Sequence, residues 1–197
     1  MARLFVALEV PDRVGGPLGD VVQGIAAEKR VAPSPLHVTL RFLGEQGGKE
    51  TEVLQERIEE IGARLATVRY TGFACSVRGL GCFPVGRPGS ARVLFAHLHP
   101  GAPLAGLKAA VDAVLGPDPE VKGRGFTPHL TLARFAKPPG APVEGALSAH
   151  AGLHLGPWPV EAISLFESVT SPKGAQYRVL ARFALDSVGP PAFREPG

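Results

Sequence analysis

The chain has 197 residues, 45% of them apolar, with 21 Lys and Arg against 18 Asp and Glu for a formal net charge of +3. That size and apolar share fit one large domain or two small lobes sharing a core, and they exclude a disordered chain. The mild positive charge suits a polyanionic partner without establishing one.

Residues 3–8 form the expected opening strand. Its apolar run, Leu4 to Leu8, stops at Glu9 and is too short for a signal-peptide core or a membrane span. A cytoplasmic protein with no membrane association is therefore expected. Leu18, Val21, Val22 and Ile25 recur at helical spacing and predict a helix from about Pro17 to Arg30. Ala32 to Pro35 forces an extended lead-in to a strand at Leu36–Leu43, followed by a turn from Gly44 to Gly48. Val53, Leu54, Ile58, Ile61 and Leu65 share one side of a helix predicted over Thr51–Leu65. A strand near Val68–Val77 and a Gly/Pro-rich loop, Gly79–Ser90, come next.

The order then starts again. Arg92 to Pro100 echoes Arg3 to Pro11, a helix is predicted over Pro103–Leu115, and Lys122–Phe126 leads through Thr127-Pro128 into a strand at His129–Phe135. A short helix around Val143–His150 follows. A closing hairpin is expected from strands Val160–Val169 and Tyr177–Leu185, turning at Ser171 to Gly174. The tail, 189–197, should fray. The echo implies one bilobal α+β domain over 1–197 built from two units, roughly 3–77 and 92–169, packed about a pseudo-twofold axis.

Within those units His37-Val38-Thr39-Leu40 is repeated as His129-Leu130-Thr131-Leu132. Period-two alternation puts His and Thr on one face of a strand and the apolar residues on the other. Two imidazoles in one cleft can hold opposite protonation states, one accepting a proton and one donating it. Two threonine hydroxyls can donate to the non-bridging oxygens of a phosphodiester as charge builds there. The pair therefore points to acid–base chemistry at phosphorus without a metal. Strict alternation keeps Arg41 on the same wet face, suited to a phosphate, although a solvated surface charge fits as readily. Phe42, by the same parity, should be core. Arg134 has the wrong parity for the cleft unless its strand bends. Phe126 could stack on a nucleobase, but a core role fits it better. His97 and His99 could share a metal, but no further ligand pattern completes a set, so they read as solvent-facing. His150 and His154 receive no role. Cys75 and Cys82 fit neither a disulfide framework nor a metal set and read as free, partly buried thiols. No glycine fingerprint for ATP or NAD is present, and no cofactor is expected.

These motifs resemble the two-histidine (2H) phosphoesterase superfamily, and more closely the RNA 2′,3′-cyclic phosphodiesterases, historically called 2′-5′ RNA ligases. The resemblance spans RLFVAL at 3–8, HVTLRFLG at 37–44, GCFP and ARVLFA within 81–96, FTPHLTLAR at 126–134 and LFES…Y at 165–177. It implies two pseudo-symmetric lobes, each with an antiparallel sheet and helices, and an active cleft between the sheets. It also implies metal-independent hydrolysis of a terminal 2′,3′-cyclic phosphate on RNA to a 2′-phosphate. His37 would be the proton donor and His129 the proton acceptor, with Thr39, Thr131 and Arg134 at the phosphate. The residues alone support the pair and leave the division of roles open. Alternatives are a 2H enzyme acting on 2′-5′ linkages or small cyclic nucleotides, including ligation in reverse, and a non-catalytic RNA-binding module. A binder has no need of two titratable groups. The expected partner is an RNA 3′ end, met by a monomer with no obligate protein partner.

Overall fold

The computed structural model describes residues 2–23, 25, 29–30, 36–46, 51–116, 126–138, 140–171 and 174–187. The elements run β1 (Ala2–Glu9), α1 (Asp12–Gln23), β2 (Lys29–Arg30), β3 (His37–Gln46), α2 (Thr51–Leu65), β4 (Phe73–Phe83), β5 (Val93–His99), α3 (Gly101–Leu115), β6 (His129–Arg134), α4 (Ala141–Ala149), β7 (His154–Val160), β8 (Ala162–Ser171) and β9 (Gly174–Ala184). Two antiparallel sheets result, with strand orders β3-β1-β8-β9 and β2-β6-β5-β4-β7. The fold is α+β, as expected.

Each sheet turns one face into the main core. Leu4, Val6 and Leu8 of β1, Leu94, Ala96 and Leu98 of β5, and Leu104, Leu107 and Val111 of α3 belong to one continuous core. Fully burying a side chain of that kind stabilises the fold by about 1.5–3 kcal/mol.

Several boundaries differ from the sequence expectation, for physical reasons. The first helix begins at Asp12, where the N–H groups of Val14 and Gly15 donate to the Pro11 carbonyl (2.8 and 3.1 Å). Val14, Leu18 and Val22, four residues apart, form its buried stripe, so Pro17 sits inside the helix and not at its start. Lys29–Arg30, expected at the helix end, pair instead with Arg134 and Ala133 of β6. The strand expected at Val68–Val77 runs from Phe73 to Phe83, because a bulge between Val77 and Leu80 carries the ladder through the glycines. Gly79 there has a φ of +71°, which a residue without Cβ adopts at no steric cost. β3 likewise continues through Gly44 to Gln46. β7 has no counterpart among the expected strands, since Pro157 and Pro159 argue against one. It is an edge strand, paired only with β4, where proline is tolerated. The predicted lead-in at 32–35, the residues 47–48 and 172–173 of the predicted turns, residues 122–125 and the 189–197 tail lie outside the described residues.

The two sheets do not coincide with the two sequence units. β4 follows β3 in the chain yet joins β5 and β6, whereas β8 crosses back to pair with β1. The strand series β3-β1-β8-β9 thus mirrors β6-β5-β4-β7, with third strands exchanged between the units.

Candidate active site

β3 carries the first His-x-Thr. Its ladder with β1 pairs Glu9 with His37, Leu8 with Val38 and Ala7 with Thr39, then slips so that Val6 faces Arg41 and Phe5 faces Phe42. Residues opposite one another across a ladder share a face, so His37 and Thr39 stand on the open face with Ala7 and Phe5. The His37 ring lies in an aromatic bed, 4.8 Å from the Phe5 centroid, 5.5 Å from Phe166 and 4.7 Å from Tyr177.

The bulge corrects two expectations. It turns Arg41 to the inner face with Val6, where it is buried, donates to Asp112 Oδ1 at 3.2 Å and also donates to the Gly116 carbonyl just past α3. Phe42, expected in the core, instead stands 46% exposed on the open face, its ring 6.1 Å from Phe5. Phe126 is also placed otherwise than at a stacking site. It packs against the main core, with Lys108 Nζ 5.8 Å from its ring centroid.

β6 repeats the device. His129 pairs with His97 and Thr131 with Phe95; after a slip, Ala133 pairs with Leu94 and Arg134 with Val93. Leu132 and Ala133 both turn inward and are buried. The bend returns Arg134 to the face of His129 and Thr131, where it is exposed. The fifth residue after each histidine thus reaches the open face, as Phe42 in one strand and Arg134 in the other.

His129 is edge-on to Phe83 (5.1 Å, 87°) and Phe95 (5.3 Å, 65°), and its Nδ1 lies 2.8 Å from the Thr127 carbonyl. A carbonyl only accepts, so Nδ1 carries the proton, and the neutral ring presents an unprotonated Nε2. Burial holds the His129 imidazole below its ordinary pKa; the Thr127 bond opposes this, and the charges of Arg134 and His97 add to it. At neutral pH the ring is an acceptor.

β3 is the outermost strand of its sheet, and β2 covers only residues 133–134 of β6. Strand β6 comes beside β3, with Cα atoms within 8 Å. Helix α3, from the second sequence unit, also packs on β3, and α1, from the first, packs on β6.

Sequence reasoning gave no role to Gly81, though it lies in the quoted GCFP stretch. A Cβ there would come within 2.6 Å of both His97 Nε2 and the Phe95 ring, so the missing side chain makes room for His129's two β5 neighbours. Gly81→Ala is expected to cost about 1–3 kcal/mol by overpacking, seen as a lower urea midpoint. An unchanged midpoint would mean the two rings yield freely.

Among the described residues, no three His, Cys, Asp or Glu are grouped to hold a metal ion, and no helix is long and apolar enough to cross a membrane. His97 and His99 are exposed, and Cys75 and Cys82 are buried free thiols, with burial pushing Cys75 up to about 11.

The family model for the 2′-5′ RNA ligase superfamily matches residues 11–171 of this chain. The chain belongs to the 2′-5′ RNA ligase superfamily. Curated members similar to it include an RNA 2′,3′-cyclic phosphodiesterase of Thermus thermophilus, 37% identical over 93% of this chain and 90% of that protein. Another, of Archaeoglobus fulgidus and the same name, is 32% identical over 92% of this chain and 99% of its own. The superfamily fold is also seen in the crystal structure of TT0787 of Thermus thermophilus, with a TM-score of 0.68 and 31% identity, covering 92% of this chain and 97% of that one. Escherichia coli LigT in its apo form, at 24% identity and a TM-score of 0.66 over 93% and 96%, shows the same fold.

Proposed function

We propose that the chain hydrolyses a terminal 2′,3′-cyclic phosphate on RNA to a 2′-phosphate, by acid–base catalysis between His37 and His129. His129 Nε2 takes a proton from water as the water oxygen bonds to phosphorus. The bond from phosphorus to the 3′ oxygen breaks, and that oxygen takes a proton from His37, leaving a 3′-hydroxyl. Thr39 and Thr131 donate hydrogen bonds to the non-bridging oxygens, and Arg134 opposes the negative charge gathering there. Arg41 has no part, since its guanidinium is spent on α3.

The observation that carries this reading is the Thr127 carbonyl on Nδ1 of His129. It fixes the tautomer a general base needs, and burial keeps that base neutral. The names of the curated relatives supply the substrate class.

The test is incubation with an RNA oligonucleotide ending in a 2′,3′-cyclic phosphate, in EDTA, with the product read by ³¹P NMR. A 2′-phosphate formed at an undiminished rate is expected. No turnover, or a 3′-phosphate product, would sink the proposal; loss in EDTA restored by zinc would point to His97 and His99. The superfamily description favours one further reading, ligation through a 2′-5′ linkage, in which the 5′-hydroxyl of a second RNA takes the place of water as nucleophile and the 3′ oxygen leaves as before.

A further inference from the structure

The two sheets handle charge differently. In β3-β1-β8-β9 each of the four arginines has a carboxylate: Arg3 has Glu45, Arg41 has Asp112, Arg178 has Glu167 and Arg182 has Glu9. Strands β4, β5, β6 and β7 contain no Asp or Glu. They do contain Arg78, His97, His99, His129, Arg134 and His154.

Register sets four of these in a line. His129 of β6 pairs with His97 of β5. His97 faces the β4 bulge at Arg78 and Gly79, since Val77 pairs with Leu98 and Leu80 with Ala96. Arg78 in turn pairs with His154 of β7. The inner-face neighbours Val77, Leu98 and Leu155 belong to the core or pack on it, so the four side chains share the open face. His97, Arg78 and His154 are exposed. Neither Arg78 nor Arg134 forms an ion pair with a described carboxylate. At a strand spacing of about 4.8 Å the row extends roughly 14 Å from His129, room for more than one further phosphate.

We infer that this row is the track for the RNA backbone upstream of the reacting end, with His97, Arg78 and His154 contacting phosphates 5′ of the cyclic one. The inference rests on the proposed reaction and names its preferred substrate as an oligonucleotide, not a mononucleotide. Nitrogen donors without competing carboxylates suit phosphates. The open face of the other sheet is aromatic instead, with Phe5, Phe166 and Tyr177 around His37 and Phe42 beside Phe5, and suits the terminal nucleoside.

The experiment compares kcat/KM for a cyclic-phosphate-ended tetranucleotide with that for a 2′,3′-cyclic mononucleotide, across salt concentrations, in wild type, Arg78→Glu and Arg78→Lys. The wild-type ratio should exceed one and fall with salt, as released counterions require. Arg78→Glu should lower the ratio by about tenfold, and Arg78→Lys should keep it, because a phosphate contact reads charge. Thermal melting checks that the variants fold, and the wild-type salt slope tests the track even if Arg78→Glu does not. A wild-type ratio of one, a salt-independent ratio, or an unchanged ratio in Arg78→Glu overturns the track while leaving the reaction standing. Wild-type protein that turns over neither substrate removes the reaction and the track together.

Discussion

Alanine at either His37 or His129 is expected to lower turnover of a 2′,3′-cyclic phosphate end by about 10²–10⁴-fold each while the protein stays folded. Both rings lie on open faces, and neither is among the fully buried side chains, so truncation costs little core packing. The pH profile should separate their roles. His129 works neutral, and burial holds its pKa below the ordinary imidazole value. Activity is therefore full above that pKa and falls as pH drops through it, placing the acidic limb lower than a free histidine would. Part of the depression comes from the Arg134 charge, so Arg134→Gln should move that limb to higher pH besides slowing the reaction. Rates of either alanine variant near wild type would end the shared acid–base mechanism. An acidic limb that ignores Arg134 would remove His129 as the base.

The second large effect is on stability and belongs to Asp112. Its Oδ1 accepts from Arg41 at 3.2 Å and its Oδ2 from Lys108 Nζ at 2.9 Å, and both cations are only 6% exposed. Asp112→Ala removes the carboxylate that two buried cations share, a change that costs about 3–5 kcal/mol when a buried partner is removed. Replacing all three, with Arg41→Met, Asp112→Leu and Lys108→Met together, should recover most of that loss, since the two cations leave with the carboxylate they share. Urea denaturation measures both. Stability near wild type in Asp112→Ala would show that water reaches these cations. The cluster ties β3 through Arg41 to α3, and through Lys108 to Phe126, three residues before His129.

Alternation read correctly as far as Thr39 and Thr131, and failed two residues later for one physical reason. Each strand tucks two successive residues inward at a bulge, and nothing in HVTLRF alone marks the slip. Superposing the two copies on their histidines offers a clue, because Ala133, small and apolar, takes the place of Arg41 and prefers the interior. A charged residue at that inner position hid the pattern, and its partners on and just past α3, Asp112 and the Gly116 carbonyl, lie 71 and 75 residues away. Helix α2 was legible to the residue because its apolar spacing runs unbroken from Val53 to Leu65 and its one glycine, Gly62, falls only in the last turn. Helix α1 was displaced by Gly15, Gly16 and Pro17. The exchange of β4 and β8 left no trace in the sequence, since an internal echo looks the same whether its units close on themselves or on each other.

That exchange governs how the molecule can come into being. While the ribosome has delivered residues only as far as β7, β1 and β3 are a two-stranded ribbon without the rest of their sheet, and Phe166 and Tyr177, against which His37 packs, are not yet made. Ribbons of that kind are marginal in water. Competence therefore arrives late and all at once, with the last strands synthesised, and a transcript cut short before β8 yields no half-working lobe.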